Sequence, residues 1–489
     1  MPQLGRRDHQ NADVTSPVEN SWHRPAWWGG GRHIVYTLVV FVVLASLDNA
    51  ALMLVPTLSI NIGEELAMSD SFVGLTVGLV ALVTALSSAP WGYWGDRVSR
   101  KQLLFWGTLI WAAGTGLTAT ATSAAGFISF QLLAALGLGS VASVGFSVIS
   151  DFVRPSRRGL LMSLWGLSQG AGSLLGLLGG SLLGAEDFRR PFLLLAAGGI
   201  VVAALFVFAF EAPRGFREPA LQDLQRAGAD YDYRIDRSQL KALTTRRTNL
   251  YLVGQGLFAQ LAYGSLGWVA RMSQEKVLAE GYSTDTATAV GGLFATLFFA
   301  GGIFSILGGY LGDRWQIRRP GGRARLSAIG ILAAIPFLIG FLVLPLRGLE
   351  LTDGGGAGTL VVEVLASVFT NGWVAASVAM AIVAIGLSSV DSPNWFALVA
   401  DVNLPEHRGT VFGAGNLVNG VGRSLGNGIT PTLAEVLRSA LPPPANWIAS
   451  LALFQAAFVP SGYLYHRAAA TSPGDIEAVT AELEARSKG

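Results

Sequence analysis

Two charges, Asp48 and Arg423, fall near the middle of long apolar runs, where a charge costs several kcal/mol unless it is paired or used. Asp48 lies about 21 Å along a helix from Ile34, near the centre of a bilayer. Taking up a proton relieves the burial of a carboxylate there, which is the physical requirement for proton coupling; an Asp that stays paired or protonated and braces helices is the alternative. Arg423 calls for a carboxylate or an anionic ligand, such as a phosphate or carboxylate headgroup, and an ion pair with Asp391 or Asp48 stands equally open. Asp391 precedes Pro393, and a proline inside a membrane helix frees backbone carbonyls and opens a kink, as in helices that line cavities. Asn49, Gln169, Tyr263, Trp268, Asn394 and Trp395 join these as substrate-binding candidates. Trp165, Gln255 and Gln260 are further polar groups at membrane depth, and for each such residue hydrogen bonding between helices competes with a cavity role.

Other chemistries are excluded. The chain has no cysteine, hence no disulfide, thiolate metal site or Cys nucleophile. Lys101, Lys241, Lys276 and Lys488 do not follow a glycine, so no phosphate-binding Gly-Lys-Ser/Thr loop can form and ATP does not drive this chain. His9, His23, His33, His407 and His466 lie in tails, loops or helix ends, which leaves no intramembrane metal cluster. We expect no catalytic residues, no metal, no cofactor and no nucleic-acid partner.

The elements that carry these residues are membrane helices. With 51% apolar residues, 13% charged and a mean hydropathy of +0.48 over 489 residues, the composition is that of a polytopic membrane protein. Windows of about 20 apolar residues give twelve spans. They lie near 34–61, 71–94, 102–122, 126–152, 159–184, 191–210, 249–271, 287–311, 326–346, 374–400, 409–437 and 446–466. An N-terminal tail (1–33) precedes a six-helix bundle (34–210), a charged linker (211–248), a second bundle (249–466) and a C-terminal tail (467–489). Roughly 27 of the Lys and Arg fall on one side and about six on the other, which places the basic side and both termini in the cytoplasm. The tail from Ser472 reads as a polar, solvated helix with a Ser-Pro start. The second half carries an insert at about 347–373 whose apolar piece is too short to span, so a surface or re-entrant helix on the outer side is expected.

The two halves repeat each other. Gly92-Tyr93-Trp94-Gly95-Asp96-Arg97, leading to Arg100 and Lys101, returns as Gly309-Tyr310-Leu311-Gly312-Asp313-Arg314. Asp151, Pro155, Arg158 and Gly159 share their spacing with Asp401, Pro405, Arg408 and Gly409. The glycines allow close helix approach and the charges, too dense for lipid, sit at a surface, so both clusters read as latches between helices.

Twelve spans, duplicated halves and paired latches resemble the major facilitator superfamily, and Gly92 to Lys101 is similar to its signature loop. Within it, Glu211-Ala212-Pro213-Arg214-Gly215, Gly264-Ser265-Leu266-Gly267-Trp268 and Asn394-Trp395-Phe396-Ala397-Leu398-Val399-Ala400-Asp401 look like the spinster-like lipid transporters. The pattern departs from that branch at Asp48-Asn49, where Asp-Arg is usual, at Gly137-Leu138-Gly139-Ser140-Val141, where Gly-x-Gly-Glu-Ala is usual, and at Leu133, where an Arg is usual. The resemblance implies an all-α fold of two pseudo-symmetric six-helix bundles rocking about a mid-membrane site, and an amphipathic, lysophospholipid-like substrate. It also implies that Asp96, and Asp313 with Arg314, pair across the halves and hold the cytoplasmic face closed. A plasma-membrane monomer, proton-coupled through Asp48 or facilitative, is the expectation; a carrier of small organic anions or drugs, or a non-transporting receptor or scaffold, are the alternatives.

Overall fold

The computed structural model describes residues 31–95, 98–145, 148, 158–211 and 246–488. All regular structure among them is helical, and the helices group into twelve passes. The first half comprises Gly31–Thr57 (continued by the short Ser59–Glu65), Asp70–Gly95, Arg100–Thr118, Ala124–Ser140 with a π turn Val141–Gly145, Arg158–Gly184 and Arg189–Phe206. The second comprises Arg247–Leu266 with Val269–Ala279, Thr284–Ala300 continuing to Arg318, Gly322–Val343, Gly372–Ser388 with Asp391–Asp401, Pro405–Leu437, and Ala445–Gln455 with Phe458–Lys488. These passes are called spans one to twelve. Among the described residues, eight stretches are long and apolar enough to cross a membrane by length and composition.

Side chains at the turns begin several helices. Ser99, Ser123 and Ser283 accept hydrogen bonds from the backbone N–H groups of Gln102, Gly126 and Thr286, and Asn371 accepts from Trp373 and Val374 at the start of span ten. Within the helices, glycine allows backbones to touch. Gly172 and Gly176 of span five lie against the backbone of Ser46 and Ala50 in span one, and Gly422 and Gly426 of span eleven lie against Leu257 and Leu261 in span seven.

The halves meet along two pairs of spans, two with eleven and five with eight, which are equivalent under the duplication. A Cβ at Gly78 would come 2.9 Å from the Ser424 carbonyl oxygen, and one at Gly292 would come 2.1 Å from the Ser181 Cβ. Hydrogen bonds across the seam run from Ser424 Oγ to the Gly78 carbonyl (2.7 Å), from Ser71 to Glu435 (2.5 and 2.8 Å), from Gln274 to the Thr57 carbonyl (2.6 Å) and from Thr288 to Asn61 (3.0 Å). Apart from the Ser424–Gly78 bond, these lie toward the Asp70 end of span two, opposite its Gly95 end.

Span ten breaks at Ser389–Val390, four and three residues before Pro393, where the proline ring opposes the carbonyl of the residue four back and its missing N–H leaves that carbonyl free. One expectation, that for the tail, changes in detail. Residues beyond Ser472 are not a separate solvated helix, because Phe458–Lys488 is continuous through Pro473. Ile476 packs on the core, Val479 is buried and Asp475 lies 3.8 Å from Arg246. The insert contains the helix Ala357–Thr370, packed on spans eight and ten. The linker after Glu211 lies outside the described residues.

Candidate functional site

Arg423 is the nineteenth residue of Pro405–Leu437, about 27 Å from its start and midway along it. Glycine brings it there: its carbonyl oxygen packs against Gly264 of span seven, while the next residue, Ser424, bonds span two. The guanidinium is exposed and donates from Nε to Gln260 Oε1 at 3.1 Å. No carboxylate pairs with it among the described residues, so the partner is a neutral amide of span seven and neither Asp391 nor Asp48. A cation held by one neutral acceptor at mid-depth keeps most of its donors for a ligand.

Asp48 lies about 26 Å along Gly31–Thr57 and is buried, with neither carboxylate oxygen bonded. Its flanking residues Leu47, Ala51 and Leu52 pack against Trp111, Ala134 and Leu138 of spans three and four. Trp111 Nε1 and Ser140 Oγ, in the same pair of spans, are also buried without partners. Asn49 turns back to bond the Ala45 carbonyl of its own helix at 2.9 Å.

Asp391 is buried in the second half and accepts a hydrogen bond from Tyr465 of span twelve. Tyr263 donates to the Ser388 carbonyl at 2.8 Å, one turn before Asp391. Trp268 donates to the Asn427 carbonyl (2.9 Å) and Trp395 to the Leu252 carbonyl (3.0 Å), and both rings are buried. Asn394 bonds the carbonyls of Val390 (2.9 Å) and Gly308 (3.4 Å). These side chains tie spans seven, eight, ten, eleven and twelve together within the second half. Gln169 is exposed on span five; the side chain of Trp165 lies outside the described residues.

The surface charges form a network of a different shape from the expected one. Arg323, at the start of span nine, donates to Asp313 at 2.7 and 3.1 Å and also to Asp401. Arg314 bonds the Tyr310 hydroxyl at 3.1 Å, and Arg408 bonds the carbonyls of Ala400 (2.9 Å) and Asn403 (3.3 Å). Arg323 therefore joins spans eight, nine and ten of one half, and Asp313 pairs within that half instead of bridging to the other. Gly312 is needed beside it, since a Cβ there would fall 1.8 Å from Asn394 Oδ1. In the first half, Gly95 and Gly92 face Val144 and Ser143 of the π turn, Arg100 is buried, and Ser99 bonds Glu211. Lys101 neighbours Glu211 around a small cavity shared with Thr37, Arg100 and Phe210. Asp96, Arg97 and Asp151, and the side chain of Arg158, lie outside the described residues.

Sequence reasoning did not single out Arg323, Tyr465, Arg271 or Asp70. Arg271, on the second piece of span seven, Val269–Ala279, lies 3.3 Å from Asp70 of span two and 2.6 Å from Glu275, with its guanidinium 5.2 Å from the centre of the Trp447 ring. This is an ion pair across the halves, at the end opposite Asp313.

Residues 38–427 match the Major Facilitator Superfamily. Among solved structures, a bacterial homologue of the human lysosomal transporter spinster, in inward-facing unoccupied and occupied conformations, superposes with a TM-score of 0.67 at 19% identity, covering 91% of this chain and 99% of that one. The D-xylose-proton symporter gives 0.64 at 14% identity, covering 88% of this chain and 97% of that one. Among curated proteins, spinster of Drosophila melanogaster is 25% identical over 269 residues, 53% of this chain and 43% of that protein. The probable sulfoacetate transporter SauU of Cupriavidus necator is 26% identical over 281 residues, 55% of this chain and 62% of that protein. Multidrug resistance protein 3 of Bacillus subtilis is 26% identical over 153 residues, 31% of this chain and 29% of that protein, so these alignments span less than two thirds of the relatives.

Proposed function

The chain belongs to the Major Facilitator Superfamily, and on that premise we propose that it moves an amphipathic, lysophospholipid-like lipid across the plasma membrane by alternating access. The observation that carries this is Arg423, an exposed guanidinium at mid-depth whose partner is the neutral Gln260. An anionic phosphate supplies the charge this site lacks and takes two donors at once. The similarity to spinster of Drosophila melanogaster and to the bacterial spinster homologue supports the branch.

In this proposal the Gly92–Lys101 end and both termini face the cytoplasm, and the protein works as a monomer. The seam contacts toward the Asp70 end then close the outer face, giving an inward-facing state. Substrate meets Arg423 from the cytoplasmic side and leaves after the halves rock about the paired spans two with eleven and five with eight. Asp48 supplies the proton step: with both oxygens buried and unbonded, the neutral carboxyl is the cheaper form, and exposure in the other state releases the proton. The Arg323 network keeps the second half rigid at its cytoplasmic end while it moves.

Uptake of a labelled lysophospholipid into proteoliposomes, with and without a pH gradient and beside Asp48→Asn, tests this reading. Gradient-stimulated flux that the variant loses is expected. Flux indifferent to gradient and variant removes the proton step and leaves a facilitator, whereas no flux from folded protein removes the lipid. Small organic anions are then the second reading, supported by the same cation and by the similarity to SauU.

A further inference from the structure

The helix Ala357–Thr370 has two apolar faces. Leu360 and Val364, at most 3% exposed, pack with Val290, Leu293 and Phe294 of span eight and with Val374 and Val378 of span ten. On the opposite side stand Val362 (67% exposed), Leu365 (47%) and Phe369 (90%), with Trp373 following at 49%. The spacing of three and four residues between Val362, Leu365 and Phe369 makes one stripe along the helix. The single charge of this helix, Glu363, is turned away and accepts from the Thr352 backbone N–H at 2.9 Å and hydroxyl at 2.6 Å.

The stripe is presented by a braced element. Asp353 accepts from the Ser283 N–H and hydroxyl and the Thr286 hydroxyl at 2.6 to 3.0 Å, the Tyr282 hydroxyl donates to the Leu349 carbonyl at 2.5 Å, and Asn371 donates to the carbonyls of Arg347 and Gly348 at 2.8 Å each. The insert is thus tied to the turn between spans seven and eight, and its outward face is not a frayed end. Scattered exposed apolar residues are ordinary, but a continuous charge-free stripe ending in Phe and Trp needs a covering phase. The stripe runs into Trp373 in the first turn of span ten. Farther along spans eight and ten other apolar residues are exposed, among them Ile303, Phe304 and Val383, as expected of residues that face lipid in a membrane transporter.

We propose that Ala357–Thr370 is an interfacial helix that binds the lipid surface, with Val362, Leu365, Phe369 and Trp373 seated at the boundary between headgroups and acyl chains. Aromatic side chains favour that depth, and a helix of 14 residues is too short to span the hydrocarbon, so its outward apolar face is satisfied at the headgroup boundary. The inference rests on the family's membrane setting and is independent of the substrate.

The native chain has no cysteine, so single Cys variants carry one spin label each. Phe369→Cys and Val362→Cys are labelled in full-length protein reconstituted in phosphatidylcholine vesicles, beside Ile303→Cys as a lipid-facing reference and Glu350→Cys as an aqueous one. Collision with oxygen should exceed collision with a water-soluble nickel chelate several-fold at Phe369 and Val362, as at Ile303, and the order should reverse at Glu350. An aqueous signature at both stripe positions overturns the proposal. So does shielding from both reagents with spin–spin broadening, because a second copy of the chain would then cover the stripe.

Discussion

Arg271 of span seven lies 3.3 Å from Asp70 of span two, across the seam between the halves and at the end opposite the Arg323–Asp313 pair. Both partners are largely buried, and Glu275 shares the cation at 2.6 Å. Arg271→Gln leaves two carboxylates without it, and removing one partner of a buried pair costs about 3–5 kcal/mol. The closed Asp70 end should therefore open. Spin labels at Ser69→Cys and Ala440→Cys should report a long-distance population at least tenfold larger than in the parent, and an unchanged distribution would show that the pair does not hold this end. Asp70→Asn keeps the Arg271–Glu275 contact and should have the smaller effect.

Gly78 is where spans two and eleven touch backbone to backbone, with Ser424 donating to its carbonyl at 2.7 Å. Gly78→Leu puts a side chain where even a Cβ would lie 2.9 Å from the Ser424 carbonyl oxygen and 3.0 Å from the Gly428 Cα. Overpacking of this kind costs about 1–3 kcal/mol. Because the strain falls on the seam and not inside a bundle, flux should drop at least tenfold while thermal unfolding shifts by only a few degrees. Parent-level flux would mean the seam is not a moving contact.

What the sequence makes legible follows from range. The spans are visible because lipid imposes a length on each apolar run, and every expected span overlaps a helix of the structure. The duplication is visible because its charges recur at fixed spacing. Partners are harder to read, since they depend on which helices the fold brings together. Arg323 lies among Arg318, Arg319 and Arg325, and only the turn at Gly321, with φ of 79°, decides that it folds back to Asp313. Tyr465 reaches Asp391 from 74 residues away, and Asp70 meets Arg271 over 201. Of these only the Asp70–Arg271 contact crosses the seam, and no local pattern in the chain encodes how the two halves are set against each other.

Removing Arg323 tests whether the second-half network is a brace. Its guanidinium satisfies Asp313 and Asp401 together, so Arg323→Gln leaves two facing carboxylates. Stability should fall by about 1–3 kcal/mol, read as a lower midpoint of thermal unfolding. Adding Asp313→Asn removes the repulsion and should recover part of that loss. If the double variant is less stable than the single one, Asp313 has a partner of greater weight than Arg323.

Arg423→Gln should weaken lysophospholipid binding at least tenfold, equivalent to about 1.4 kcal/mol, while leaving an uncharged monoacylglycerol unaffected. Gln260→Glu is the sharper probe. It places a carboxylate where the amide oxygen now accepts at 3.1 Å, so the cation is neutralised in place and the headgroup must compete for it. Affinity for the anionic lipid should fall in this variant too. Equal loss for the uncharged analogue would instead point to a change in packing between spans seven and eleven.

Asp353 gives the insert a dependence on acid. Hydrogen bonds from the Ser283 hydroxyl, the Thr286 hydroxyl and the Ser283 N–H hold its carboxyl below the ordinary carboxylate value. A group depressed in the folded state stabilises it above the unfolded value, and that contribution disappears as pH falls through the folded one. The strap between Asp353 and the turn at Ser283 should therefore loosen only in acid, below about pH 4, and stay constant near neutrality. A spin label at Glu350→Cys should gain mobility over that acid range, and Asp353→Asn should make its mobility independent of pH. Loosening that begins near neutrality, or that persists in Asp353→Asn, would assign the acid response to another group.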